Sequence, residues 1–194
     1  MSEWLEDFYR EGGEMNAHSA EALRQMGADA VPHLKKMLRA RDSWPKRKLM
    51  ELASKQHLVP VPLTPASFQI ELALHGCAVL GQDARDAIPE IVALLPERDG
   101  VGRFAALVLA RTWQEGVLPL AAGLASSDQQ VRHNSARGLS ECRFDGSVAV
   151  PGLINLLDDP DPHIAQAAGL ALGSIRQKPE LAVPALILCV KRRL

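Results

Sequence analysis

The sequence predicts an all-α fold, a right-handed α-solenoid of about five stacked helix pairs. One reason is an internal repeat, because the segment AVPGLINLL around Pro151 returns 33 residues later as AVPALILCV around Pro184. Composition is the other, since hydrophobic residues make up 47% of the 194 residues but aromatic residues only 4%, which favours close helix packing over a β-sandwich. A repeated unit too thin to bury its own apolar face must stack on its neighbours, and such stacking produces a solenoid.

Five segments of the chain can be aligned on a proline. Counted from the residue before each proline, positions three and seven are apolar in every copy, and position four is apolar in all but the first, which has Lys35. This spacing is one stripe of an α-helix, so each segment is predicted to be amphipathic. Proline suits the first helical turn, where its missing N–H has no intrahelical partner. The aligned prolines are Pro32, Pro89, Pro119, Pro151 and Pro184.

Each proline-led segment is predicted to be the second helix of a pair. The spacings between successive prolines are 57, 30, 32 and 33 residues, so the last three suit two short helices with their turns and the first implies an insertion. The predicted first helices span residues 16–26, 66–80, 101–113, 128–142 and 161–175. The predicted second helices span residues 30–41, 86–95, 117–126, 148–157 and 181–192.

Two further segments flank this array of residues 15–194. Residues 1–14 combine acidic residues with apolar ones at i, i+4 spacing and reach the pair Gly12-Gly13, so we interpret them as an N-terminal cap helix. A docking segment for a partner is the alternative. The insertion, residues 42–65, is predicted to begin a helix at Ser43-Trp44-Pro45 and to end in an extended connector rich in proline.

Local signals predict how several helices end and pack. Gly81 is expected to cap the helix 66–80, and Asp161 followed by Pro162 is expected to begin the helix 161–175. Glycines inside predicted helices are explained by close helix approach, which we expect at Gly138 and Gly152 and at the group Ala168, Gly169 and Ala171. Trp113 and Phe104 are expected to pack in the core.

The pairs DQQVRHNSARGLSE and DPHIAQAAGLALGSI, each followed by a second helix led by Val-Pro, resemble HEAT repeats. More narrowly, they are similar to the short subtype associated with phycobilin lyases, whose pattern is Asp-x-x-Val-Arg, small residues and then Leu-Gly. Asp128, Val131 and Arg132 match this pattern fully, whereas Asp161 and Ile164 keep only its first half. The resemblance covers about residues 15–192. It is specific for a fold and says little about an activity.

This resemblance implies a place for a partner. In HEAT arrays the second helices usually form the concave side, so their exposed stripe is the expected contact surface for another protein. Steps of two, five and eight residues from the position before each proline define that stripe. An ordinary solvated helix face is the alternative interpretation. The candidate partner-binding residues are His33, Lys36, Arg39, Glu90, Asn155, Asp158 and Lys191.

A basic segment offers a second candidate site. Seven cations between residues 35 and 48 face only Asp42, and Trp44 lies among them, so phosphates could be neutralised while the indole stacks on a base. The same cations could instead pair with the acidic residues 1–14, or with another protein, which we prefer because the whole chain has a net charge of -1. The cations are Lys35, Lys36, Arg39, Arg41, Lys46, Arg47 and Lys48.

Enzyme chemistry finds little support in the sequence. There is no H-E-x-x-H, G-x-S-x-G or P-loop motif, and no histidine neighbours a glutamate. Cys77, Cys142 and Cys189 form no C-x-x-C pair, so we expect no metal and no cofactor. No apolar run reaches a membrane-spanning length, and we expect a cytoplasmic protein. The predicted function is a non-catalytic protein-binding scaffold; the alternatives are nucleic-acid binding through the basic segment and a lyase or chaperone relative of the phycobilin lyases.

Overall fold

The computed structural model describes residues 17–55, 64–98 and 100–193, and every regular element in these ranges is a helix. The predicted cap over residues 1–14 and most of the predicted connector lie outside the described residues. In chain order the helices are α1 (Ala17–Met26), α2 (Val31–Leu38), α3 (Trp44–Lys55), α4 (Ala66–Leu80), α5 (Ile88–Val92), α6 (Val101–Thr112), α7 (Val117–Gly123), α8 (Gln129–Ser140), α9 (Val150–Leu156), α10 (Pro162–Ile175) and α11 (Pro179–Arg193).

These helices follow one another as stacked pairs, and α3 is the helix of the insertion. The first helices form one layer, in which α4 packs on α6, α6 on α8 and α8 on α10. The second helices form the other layer, in which α2 contacts α5 and α9 contacts α11. One continuous hydrophobic core runs between the layers from Leu23 to Ala182. This arrangement is the predicted α-solenoid; its right-handed sense stays a prediction.

Short 3₁₀ turns lead into the second helices of the earlier pairs. They span Gly27–Ala30, Gly81–Ala87, Gln114–Gly116 and Ser147–Ala149. The aligned proline then falls in the first turn of α2, α5 and α9, as predicted.

In the last pair the predicted position of the proline is wrong. Helix α11 already begins at Pro179, so Pro184 lies inside the helix. Pro184 has no N–H to donate to the carbonyl of Glu180, and both residues are exposed.

The predicted helix ends are confirmed where a single side chain decides them. Asp128 accepts a hydrogen bond from the backbone N–H of Gln130 at 2.7 Å, and Asp161 accepts one from that of His163 at 2.7 Å. Pro162 occupies the first turn of α10. Gly81 ends α4 with a φ of 56°, a conformation that glycine adopts without strain.

Two buried contacts fix the spacing of neighbouring pairs. Trp113 is fully buried, and its Nε1 donates a hydrogen bond of 2.9 Å to the carbonyl of Gly81. A Cβ on Gly138 would lie 2.8 Å from the carbonyl oxygen of Ala106, so α6 and α8 approach closely there, as expected. The sequence therefore predicts this crossing correctly.

The expected close crossing at Gly169 is wrong. The nearest atoms to a Cβ on Gly169 would be side-chain methyls of Leu157 and Leu186, at 3.8 and 3.9 Å. Leucine side chains therefore set the separation at this glycine, and no backbone approaches it. Its neighbours Ala168 and Ala171 are fully buried.

Candidate functional site

The second-helix stripe of candidate partner-binding residues is only partly open to solvent. Lys36, Asn155 and Lys191 are exposed, His33 is half-buried, and the Glu90 side chain is only 9% exposed. The stripe therefore contains both exposed side chains and side chains that already contact other residues of the chain. Its role in binding stays a prediction.

An ion pair joins the first two helix pairs across this stripe. Arg39 Nη2 on α2 donates to Glu90 Oε1 on α5 at 2.5 Å, and Lys35 Nζ lies 3.3 Å from the same oxygen. Lys35 also donates to the carbonyl of Asp86 at 2.9 Å. Burial would raise the pKa of Glu90, but hydrogen bonds from its own backbone N–H, from Arg39 and from Lys35 hold the pKa below its ordinary value.

A second ion pair joins the last two helix pairs. Arg192 Nη1 on α11 donates to both carboxylate oxygens of Asp158 at 3.1 and 3.0 Å. Both side chains are more than half exposed, so this pair contributes little to stability. Lys36 and Lys191 form no ion pair with a described residue.

The basic segment is largely neutralised by carboxylates of the chain itself. Lys46 lies 2.6 Å from Asp42, Lys48 lies 3.2 Å from Glu51, and Arg41 lies 3.4 Å from Glu97. With Lys35 and Arg39 bound to Glu90, only Lys36 and Arg47 have no ion pair with a described residue. These carboxylates therefore reduce the charge available to a phosphate backbone, although Lys35 and Arg39 share a single one.

The carboxylate of Asp42 also holds the insertion onto the array. Besides its pair with Lys46, it accepts a hydrogen bond of 3.0 Å from the backbone N–H of Ala66, the first residue of α4. The bond from Lys46, followed by that from Ala66, lowers the pKa of Asp42. Trp44 beside it is 70% exposed.

A groove lies on the opposite layer, across the first helices α4, α6, α8 and α10. This first-helix groove has a volume of about 590 Å³. That volume lies within the range of ligand-binding clefts. Its lining residues are Glu71, His75, Gly100, Arg103, Phe104, Leu107, Arg111, Arg137, Gly138, Ser140, Glu141, Leu170 and Ser174, of which Glu141 directly follows the end of α8.

Apolar side chains provide part of the wall of the first-helix groove. Phe104, expected in the core, is only partly buried, and its ring lies 4.5 Å from that of His75 at a tilt of 50°. Leu107 is half-buried, and Leu170 is 51% exposed. The groove therefore offers exposed apolar contact area.

Arginines supply the free charge of the first-helix groove. Arg111 is bound to Glu141 at 2.6 Å, but the exposed Arg103 and Arg137 form no ion pair with a described residue. Next to them, burial and then the charge of Arg137 lower the pKa of His133. Neutral His133 therefore adds no charge near pH 7, and the cationic character comes from the two guanidinium groups.

Burial also lowers the pKa of His75, against the opposing charge of Glu71. His75 is therefore neutral near pH 7 and contributes its ring rather than a charge to the groove.

The sequence analysis missed this groove, although a signal for it exists. Each first helix contributes residues spaced four apart, which lie on one face of a helix. These sets are Glu71 and His75 on α4; Arg103, Leu107 and Arg111 on α6; Arg137 on α8 with Glu141 directly after it; Leu170 and Ser174 on α10. The sequence analysis expected a contact surface only on the second helices.

Catalytic and metal chemistry gain no support from the described part of the chain. No group of three or more His, Cys, Asp or Glu side chains in it could hold a metal ion. Among the same residues, no helix has both the length and the apolar character needed to cross a bilayer.

Comparison with known families identifies the second half of the array. Residues 117–192, from α7 to α11, match the family model described as HEAT repeats. A comparison with curated proteins gave no match. The narrower similarity to the phycobilin-lyase subtype stays a prediction.

Proposed function

We propose that this chain, whose residues 117–192 match HEAT repeats, is a non-catalytic scaffold that binds an acidic segment of a partner protein in the first-helix groove. HEAT repeats are generally protein-interaction scaffolds. The observation that carries the proposal is the combination, in one groove, of two guanidinium groups without ionic partners among the described residues and an apolar wall containing Phe104.

The side chains of the groove determine which kind of partner segment binds there. A guanidinium group donates two parallel hydrogen bonds to a carboxylate, so Arg103 and Arg137 favour Asp or Glu side chains. Phe104 and Leu107 favour an aliphatic or aromatic side chain between those acids, because central apolar anchors dominate binding energy. An acidic segment with one apolar anchor therefore fits best.

The second-helix stripe is a further surface of the same scaffold. The HEAT-type arrangement supports partner binding on the concave side, where Lys36 is exposed and forms no ion pair with a described residue. Arg39 and Glu90 on the same stripe are already hydrogen-bonded to each other. Variants of Lys36 and of the groove arginines can therefore separate the two surfaces.

Selection from a library of short random peptides tests the proposal. We expect selected peptides to be enriched in Asp and Glu flanking a large apolar residue. The double variant Arg103→Glu, Arg137→Glu should weaken their binding by roughly a hundredfold or more, because two attractive contacts become repulsive. Lys36→Glu, a matched charge reversal on the other layer, should leave binding within about twofold.

Two outcomes would contradict this function. One is a selection without acidic enrichment, and the other is peptide binding that the double arginine variant leaves unchanged. Salt-sensitive retention of a single-stranded oligonucleotide, lost in a Lys36→Glu, Arg47→Glu variant, would favour the nucleic-acid alternative instead.

A further inference from the structure

The outer face of α11 carries a continuous apolar surface. Five large side chains on this one helix are about half exposed, which is more than isolated surface residues explain. No described element packs over them. They are Leu181 at 47%, Val183 at 50%, Ile187 at 51%, Leu188 at 49% and Val190 at 58%.

Comparison with the preceding pair shows what such positions normally contact. Val150 and Leu157 on α9 and its end are 0% and 4% exposed, because the last pair covers them. Their equivalents in the repeat, Val183 and Val190, are apolar but open. Because large apolar side chains exposed together on one helix usually mark a contact surface, these residues indicate that another surface covers α11.

The charges on this face form a directional pattern. At about 100° per residue, Glu180, Ile187 and Lys191 fall on one line along the middle of the exposed face. Val183 and Val190 flank that line on one side, and Leu181 and Leu188 flank it on the other. Glu180 and Lys191 are about 16 Å apart along the helix axis.

We propose that a second copy of this chain covers the face, with the two α11 helices packed antiparallel across a twofold axis. This arrangement places Glu180 of each copy opposite Lys191 of the other, so one ion pair forms at each end of the interface. On one flank Leu181 faces Leu188 of the other copy, and on the other flank Val183 faces Val190. The pattern is complementary to itself only under a twofold, the symmetry of most homodimers.

The proposal reassigns one predicted contact. Lys191, expected to bind another protein, binds the second copy instead. The first-helix groove lies on the other layer, so dimer formation leaves its arginines free. Each dimer therefore presents two copies of the groove.

Sedimentation of the full chain tests this interface. From micromolar to hundreds of micromolar protein, we expect a reversible monomer–dimer equilibrium. Ile187→Asp should abolish the dimer, because it buries two unpaired carboxylates at the centre, while circular dichroism keeps the helical signal.

Charge reversal gives the sharper test because the altered residues are exposed and do not perturb the fold. Glu180→Lys and Lys191→Glu should each raise the dimer dissociation constant by roughly tenfold or more, since each creates two like-charge contacts. Combining both reversals should restore the constant of the parent protein to within about threefold. Arg24→Glu, at an exposed arginine of α1, serves as the control and should leave the dimer dissociation constant unchanged.

Three results would overturn the proposal. The parent chain could stay monomeric at every concentration. Alternatively, a dimer could survive Ile187→Asp, or the double reversal could fail to restore association.

Discussion

The Arg39 guanidinium lies 2.5 Å from Glu90 Oε1, and this contact joins the second helices of two successive repeats. Glu90 is 9% exposed, and Lys35 lies 3.3 Å from the same oxygen. Glu90→Gln should therefore lower the free energy of unfolding by about 1–3 kcal/mol, because two cations lose their shared counterion. Chemical denaturation measures this change. Glu97→Gln, which removes only an exposed partner of Arg41, should cost at most about 0.5 kcal/mol.

The same residue predicts part of the acid sensitivity. The pKa of Glu90 is lower in the folded chain than its ordinary value of 4.5, so the folded state binds fewer protons than the unfolded one near that pH. Ionised Glu90 therefore stabilises the folded state above pH 4.5, and this stabilisation is lost as the pH falls through the lowered pKa. The stability difference between the parent and Glu90→Gln should therefore shrink below pH 4.5. A difference independent of pH would contradict this assignment.

Arg132 connects the turn before α8 to the turn before α10. Its Nε donates to Asp159 at 2.8 Å, and its Nη1 donates to the carbonyls of Ser126 and Ser127 at 3.0 and 3.2 Å. Asp159 is only 4% exposed, so Arg132→Ala should cost about 2–3 kcal/mol by leaving a buried carboxylate without its cation. Denaturation midpoints check the value. The exposed Arg137→Ala on the same helix should cost less than about 0.5 kcal/mol, and equal losses would contradict the role.

Trp113 ties the third repeat to the end of α4. Trp113→Phe removes its hydrogen bond to the Gly81 carbonyl and leaves part of the indole volume empty, so it should cost about 2–3 kcal/mol. Trp44→Phe is the matched control, because Trp44 is 70% exposed, and it should cost less than about 0.5 kcal/mol. Thermal denaturation compares the two variants. Equal midpoints would show that the contact with Gly81 is dispensable.

The cysteines provide a chemical probe of the core. Burial raises the pKa of Cys77 to about 12, so at pH 8 only about one thiol in ten thousand is ionised. Iodoacetamide should therefore label the half-buried Cys189 well before Cys77 in the folded protein, and both equally in denaturant. Peptide mass spectrometry follows each site. Rapid labelling of Cys77 without unfolding would contradict its burial.

Local chemistry made much of the fold predictable. The prolines of α2, α5 and α9, the Asp caps of α8 and α10 and the glycine after α4 each act within one turn, so sequence spacing alone locates them. Sequence spacing did not predict the place of Pro184 correctly, because its position inside α11 depends on where that helix begins. It also did not predict the surroundings of Gly169, because Leu157 at the end of α9 and Leu186 on α11 determine them.

The first-helix groove could not be predicted in the same way. Arg103 and Arg137 lie 34 positions apart in the sequence, and only the stacking of α6 on α8 brings their helices together. Likewise, the pairing of Arg39 with Glu90 depends on α2 contacting α5. The sequence analysis found these charges but not their partners, because repeat-to-repeat packing determines which remain free.

Backbone amide chemical shifts of the full chain, recorded during titration with a selected acidic peptide, test the central claim most directly. We expect the largest changes in chemical shift along α6 and α8, around Phe104 and Arg137, and we expect these changes to be lost in the Arg103→Glu, Arg137→Glu variant. Shifts confined to α2, α5 and α9, with the groove unperturbed, would contradict it.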